Sequence, residues 1–189
     1  MEIVSLSSNP YEICSISNLY TEDEIKSYIQ LIGEFSIKEN QFNTRDIYKK
    51  IKRKDSIHSG LIFSRIKQLL PEFYLDRKGI KWEIYGVSDY IFYSHIKENE
   101  CIGIHSDTGT VYDRIENRYS KFTLLTYLTD DFLGGETIFY TDDENIQITP
   151  ETNKTIFFDI DLFHEGNKVV SGNKIWVKTE IIYTKLEVE

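Results

Sequence analysis

KFTLLTYLTDDFLGGETIFY, residues 121–140, holds two runs rich in Phe, Thr, Leu, Tyr and Ile, parted by Asp130-Asp131 and by Gly134-Gly135. Aromatic and β-branched side chains favour the pleated, half-buried surface of a strand, and paired glycines supply the positive φ of a tight connection. The stretch is therefore predicted as two strands, 121–129 and 136–140, joined by a turn. The same pattern continues outward on both sides. Runs at 82–85, 89–96 and 101–105 precede it, and runs at 145–148, 154–159, 167–170 and 174–184 follow, with breaks at Lys97-Glu98-Asn99 and Gly172-Asn173. Short strands at this spacing predict a sandwich or barrel.

Before Trp82 the periodicity differs. In EDEIKSYIQLIG (22–33), Ile25, Tyr28, Ile29 and Ile32 recur at helical spacing behind Thr21, a suitable N-cap. Ile57, Leu61, Ile62, Ile66, Leu69 and Leu70 mark a second helix over 55–70 that Pro71 stops. Helices first and strands afterwards disfavour a doubly wound parallel sheet. With 189 residues, one domain is expected: a helical support region (1–81) and a β core (about 82–184).

Composition narrows the function classes. Hydrophobic content of 40% and aromatic content of 14% describe a folded chain. The first twenty residues lack the basic start and apolar run of a signal peptide, and no apolar stretch reaches membrane-spanning length. Two cysteines, Cys14 and Cys101, are too few for a disulfide scaffold, so a reducing, cytoplasmic setting is expected. A net charge of −9 disfavours nucleic acid as partner, although Lys49-Lys50-Ile51-Lys52-Arg53-Lys54 is locally basic. That run is read as a solvated helical face.

The chemistry concentrates in four histidines, of which His105 and His164 end predicted strands. Asp107 lies two residues after His105, and positions i and i+2 of an extended segment project to one side. His164, in IFFDIDLFHEG, can add a third ligand if its strand pairs nearby. Two imidazoles and one carboxylate leave coordination positions open, which suits ferrous iron rather than a closed structural zinc site. A His-x-Asp pair alone is a weak signal.

The flanking residues carry more. From Trp82 to Tyr183, His105-Ser106-Asp107, FTLLTYL (122–128), Gly134-Gly135-Glu136-Thr137, His164-Glu165-Gly166 and Gly172-Asn173-Lys174 match in order and spacing. On these the chain resembles the 2-oxoglutarate and iron(II)-dependent dioxygenases, in their prolyl 4-hydroxylase-like branch. The resemblance implies a double-stranded β-helix, or jelly roll, with supporting helices. It implies His105, Asp107 and His164 as iron ligands and Lys174 as the cation that pairs with the distal carboxylate of 2-oxoglutarate. Lys178 shares the face of Lys174 and is the alternative anchor. Tyr127 matches a tyrosine that bonds the same carboxylate. Where relatives place a tyrosine about ten residues before the first histidine, this chain has His95, with Tyr93 one same-face step earlier. Either is a candidate donor to 2-oxoglutarate. Thr137 is expected to face the iron, and Asp159, Asp161 or Glu165 to accept a ligand histidine's second N–H.

The implied reaction uses iron(II), 2-oxoglutarate and dioxygen, with ascorbate as a stimulant, and hydroxylates a substrate C–H bond with release of succinate and carbon dioxide. A prolyl or other residue in a peptide or protein is the first expectation. A free amino acid, another small molecule or methylated nucleic acid stay open, as does a catalytically inactive binding module. Residues 108–120 are expected to form a mobile loop at the barrel mouth.

Overall fold

The structure is a computed structural model that describes residues 3–7, 12–34, 49–76, 78–107 and 111–186. In chain order the strands and helices are β1 (Ile3–Ser7), β2 (Ile13–Ser17), α1 (Glu22–Glu34), β3 (Lys49–Lys54), α2 (Ser56–Ile66), β4 (Phe73–Leu75), β5 (Lys81–Val87) and β6 (Tyr90–Lys97). There follow β7 (Ile102–His105), β8 (Val111–Asp113), β9 (Arg118–Tyr127), β10 (Leu133–Gly134), β11 (Thr137–Tyr140) and β12 (Asn145–Ile148). The last are β13 (Lys154–Asp159), β14 (His164–Gly166), β15 (Val169–Ser171) and β16 (Asn173–Lys185).

These strands make two principal antiparallel sheets, the expected jelly-roll arrangement. The major sheet runs β1-β2-β13-β9-β16-β5-β4, with β6 beside the first half of β16, β3 beside β6, and β8 beside β9. The minor sheet is β12-β11-β14-β7. Strand β16 is central: Trp176 to Thr184 pair with β9 on one side, while Asn173 to Lys178 pair with β6 and Ile181 to Lys185 with β5 on the other.

The major sheet is buried on both faces. One face packs Tyr93, Ile175, Val177 and Ile181 against Ile25 and Ile32 of α1 and Ile62 and Ile66 of α2. The other packs Leu125, Tyr127, Phe158 and Trp176 against Phe139, Ile102 and Leu162. Each fully buried Ile or Phe contributes on the order of 2 kcal/mol, so both interiors stabilise the fold.

Both helices lie close to where the periodicity put them. Thr21 caps α1: its Oγ1 accepts from the Glu24 amide at 3.3 Å, and Glu24 Oε2 accepts from the Thr21 amide at 2.8 Å. Glu24 also receives both terminal nitrogens of Arg65, at 2.8 and 2.9 Å, which ties α1 to α2. Asp55 caps α2 by accepting from the His58 amide.

The first third is not purely helical, however. Residues 3–7, 13–17, 49–54 and 73–75 are strands, and three of these elements extend the major sheet at its margins. The basic run 49–54 is β3, paired with β6 from Lys49↔His95 to Lys54↔Tyr90, and not a helical face. Ile51 goes into the helix-side core, and a charged strand suits the margin of a sheet. Within the expected loop 108–120, residues 111–113 pair with β9 in a hairpin whose turn is held by Asp113 Oδ1, which accepts from the Ile115 and Glu116 amides. Residues 108–110 lie outside the described residues.

Candidate metal centre

Strand β14 lies between β11 and β7, and its register sets His164 directly opposite His105. Cross-strand partners point to one side, so the two imidazoles meet with centroids 4.3 Å apart. Asp107 follows β7 as the chain turns inward, fixed by its amide donating to the Ile160 carbonyl at 3.1 Å. Its Oδ1 lies 3.8 Å from His105 Nε2, and its Oδ2 lies 3.9 Å from His164 Nε2. One ligand atom from each of the three residues falls within 4.8 Å of the others, a grouping that could hold a metal ion.

The hydrogen bonds orient those ligand atoms. His105 Nδ1 sits 2.9 Å from the Gly103 carbonyl, and His164 Nδ1 sits 3.0 Å from the Leu162 carbonyl. A carbonyl only accepts, so each Nδ1 carries the proton and each Nε2 presents a lone pair to the centre. Thus backbone carbonyls, and not Asp159, Asp161 or Glu165, accept from the ring N–H groups. Asp159 Oδ1 instead accepts from the Asp161 amide at 3.0 Å, and Glu165 accepts from the Tyr140 hydroxyl at 2.6 Å. Burial pushes His164 down to about 4 and keeps it neutral, as a metal ligand must be.

Asp107 is held ionised. Burial alone would raise its carboxyl, but Lys178 and His164 beside it, with the Lys178 and Thr123 hydrogen bonds, bring it well below the usual carboxylate range. Thr123 Oγ1 donates to its Oδ2 at 2.8 Å, and the Lys178 ammonium donates to its Oδ1.

Lys174, Trp176 and Lys178 project from alternate positions of β16 into the same pocket as the three ligand residues, together with Thr137 and Leu125. Lys174 is 2% exposed and donates to the Gly135 carbonyl at 2.6 Å. Desolvation drives it down to about 7, with Glu136 opposing. The tight turn at Gly134-Gly135 makes that contact available: both glycines have positive φ, and a Cβ on Gly135 would stand 2.9 Å from the Phe132 ring and 3.3 Å from Lys174 Cδ. Tyr127 is fully buried behind the pocket, with its ring 5.4 Å from the Lys174 ammonium and its hydroxyl donating to Thr137 Oγ1 at 2.7 Å.

Tyr93 and His95 are not brought to this pocket. In the β6–β16 register Tyr93 pairs with Val177 and His95 with Ile175, which places both on the helix-side face, opposite the lysines. Tyr93 is buried there, its hydroxyl 3.0 Å from His58 Nδ1, and His95 Nε2 meets Asn173 Oδ1 at 2.9 Å. The β6 side chains on the pocket face are Phe92, Ser94 and Ile96, partners of Lys178, Trp176 and Lys174. Ser94 Oγ is buried without a hydrogen-bond partner among the described residues. Lys50, in the basic run expected on a solvated helical face, also lines the pocket. The one apolar residue of that run, Ile51, fits a helical face as well as an edge strand, so no local signal placed Lys50 here.

A donor set of two imidazoles and one ionised carboxylate, with a buried cation across the pocket, fits iron(II) and a dianionic co-substrate. Residues 90–181 match the 2OG-Fe(II) oxygenase superfamily. A comparison with curated protein sequences gives no match. Among solved structures, the viral collagen prolyl hydroxylase of Paramecium bursaria Chlorella virus-1, in complex with 2-oxoglutarate, superposes with a TM-score of 0.58 at 19% identity, over 92% of this chain and 96% of that one. A Pseudomonas putida prolyl-4-hydroxylase gives 0.62 at 9% identity, over 89% and 91%. A prolyl hydroxylase from Trichoplax adhaerens, in complex with a hypoxia inducible factor peptide fragment, gives 0.64 at 14% identity, over 89% and 82%. At these identities the structures speak for the fold. Through residues 90–181, which contain all three ligand residues and both buried lysines, the chain matches the 2OG-Fe(II) oxygenase superfamily, and its fold is prolyl hydroxylase-like.

Proposed function

We propose that this protein hydroxylates a residue in a peptide or protein, with proline as the first candidate, and releases succinate and carbon dioxide. The observation that carries the reading is the convergence of His105, Asp107 and His164 within 4.8 Å in the pocket that also receives buried Lys174. Iron(II) with 2-oxoglutarate and dioxygen supplies the oxidising chemistry. The chain's residues supply position and charge. His105 and His164 present Nε2, fixed by the carbonyls of Gly103 and Leu162. Asp107 presents its carboxylate, steadied by Thr123.

Lys174 anchors the distal carboxylate of 2-oxoglutarate, the one buried cation in the described pocket that no carboxylate already bonds. Lys178 is engaged with Asp107, which argues against it as the main anchor. Tyr127 supports Lys174 in that role, with its ring 5.4 Å from the Lys174 ammonium and its hydroxyl donating to Thr137. A single-domain organisation is supported by β2 and β3, which join the same sheet as the core strands. The peptide reading is supported by the prolyl hydroxylases among the fold neighbours, one of them bound to a peptide.

The test is a mass-shift screen. Peptides, proteins and free amino acids are incubated with the protein, iron(II), ascorbate and 2-oxoglutarate, and products are searched for one added oxygen. Addition to a peptidyl residue is the expected result. Oxidation confined to free amino acids or methylated oligonucleotides would replace the peptide reading.

A further inference from the structure

Strand β3 turns Lys50 and Lys52 to the pocket side of the sheet, opposite Ser94 and Phe92 of β6. The Phe92 ring then has three ammonium groups around it: Lys50 at 5.1 Å, Lys52 at 5.4 Å and Lys178 at 5.5 Å from its centroid. Lys52 also lies 4.1 Å from the Tyr90 centroid. Among the described residues Lys178 is matched by Asp107, whereas Lys52 meets only aromatic rings. Besides Asp107, the carboxylate lining this pocket is Glu165, which the Tyr140 hydroxyl engages.

Like charges gathered about one ring repel, and aromatic faces offset only part of that cost. A counter-anion beside Lys52 would offset it further. The chain carries a net charge of −9, so most of its surface repels an acidic ligand while this strand attracts one. Resting on the peptide hydroxylase reading, we infer that Lys50 and Lys52 of β3, around the Phe92 ring that they share with Lys178, form a substrate-docking strip for a peptide bearing a carboxylate beside the oxidised residue.

The geometry also gives the spacing. Lys52 and Lys178 approach the same ring, so no more than about 11 Å separates their ammonium groups, and Lys178 already touches a candidate iron ligand. An extended peptide covers that span in about three residues at ~3.3 Å each. The preferred Glu or Asp therefore stands within about three positions of the residue that is oxidised. Six residues of β3 are too short a track for the many phosphate contacts that bind nucleic acid, which favours a peptide carboxylate.

The test measures binding without turnover. Fluorescein-labelled peptides with a central proline and Glu two and three positions away are titrated anaerobically onto the protein loaded with manganese(II) and 2-oxoglutarate, and anisotropy is read. Control probes carry Lys or Gln in place of Glu, and a single-stranded oligonucleotide of equal charge is included. The Glu peptide is expected to bind most tightly. Lys52→Glu should weaken it roughly tenfold and Lys50→Glu/Lys52→Glu roughly a hundredfold at low salt, while Lys26→Glu on α1, with the same change in net charge, should leave it unaltered. Thermal midpoints near wild type verify that the variants fold.

Equal binding of the Gln peptide, wild-type affinity in Lys52→Glu, no binding of any peptide, or tighter binding of the oligonucleotide through the same lysines would each overturn the inference. Specific Glu-peptide binding with no added oxygen in the mass-shift screen would instead overturn the hydroxylase reading and leave the docking strip standing.

Discussion

Replacing Lys174 by Met removes one charge from the pocket while keeping the length of the side chain. In the wild type Lys174 is 2% exposed and its ammonium is bonded to the Gly135 carbonyl at 2.6 Å, with no carboxylate bonded to it among the described residues. Losing one partner of a buried charge pair costs ~2–5 kcal/mol. Because Gly135 already satisfies one of the three N–H donors, we take the lower half, ~2–3 kcal/mol, which at 1.4 kcal/mol per decade raises the KM for 2-oxoglutarate roughly 30- to 150-fold.

The pH dependence is diagnostic as well. Desolvation holds the free Lys174 at about 7 against an ordinary 10.5, so above pH 7 the co-substrate must bind together with a proton. Affinity for 2-oxoglutarate should fall roughly tenfold per pH unit above about 7, and this slope should vanish in Lys174→Met. Stability runs the other way. Between about 7 and 10.5 the unfolded chain holds a proton at this lysine that the folded chain lacks, so the protein without 2-oxoglutarate gains stability as pH rises through that window. Below pH 7 the folded state carries a buried cation, and Met should stabilise it there. The assays are 2-oxoglutarate titration of succinate formation, calorimetric binding with manganese(II), and thermal unfolding at pH 6 and 9. An unchanged KM in Lys174→Met, with a raised KM in Lys178→Met, would transfer the anchor role and refute the reasoning.

Asp107→Ala should abolish manganese(II) binding measured by electron paramagnetic resonance, and should destabilise the metal-free protein by ~3–5 kcal/mol because Lys178 is left buried without its partner. Gly135→Ala forces a side chain into positive φ and against Phe132 and Lys174, so a loss of ~1–3 kcal/mol is expected by denaturant titration, with a raised KM for 2-oxoglutarate. Tyr93→Phe should cost ~1 kcal/mol through the lost His58 bond yet leave the KM for 2-oxoglutarate unchanged, and His95→Ala should also leave it unchanged. A tenfold rise in either would return β6's helix-side residues to the pocket.

The parts of this site that were legible in the sequence are those fixed by local geometry. His105 and Asp107 needed only the two-residue period of an extended chain, and Lys174 and Lys178 share a face for the same reason. Gly134-Gly135 was legible because positive φ restricts the residue types that can stand there. Tyr93 and His95 failed on parity. Strand β6 is buried on both faces, with Ile91 and Tyr93 against the helices and Ser94 and Ile96 between the sheets, so no hydrophobic alternation marks which face meets the metal. Only the pairing of Lys174 with Ile96, Trp176 with Ser94 and Lys178 with Phe92 decides it, and pairing is a relation between distant segments.

The basic run shows the complementary difficulty. Lys-Lys-Ile-Lys-Arg-Lys has a single apolar residue, which satisfies a helical face and an edge strand equally well. Its partner settles the matter. Lys50 and Lys52 set their ammonium groups 5.1 and 5.4 Å from the Phe92 centroid while Ile51 enters the helical layer. A strand so placed shields the sheet margin from pairing with other chains and, in the same positions, carries positive charge to the mouth of an oxidising pocket. Those two demands select the same residues, so a substitution that preserves β3 as an edge need not preserve substrate choice. Lys52→Gln should keep the fold and the metal site yet lose preference for acidic over neutral peptide, a separation that a purely structural role for the strand does not allow.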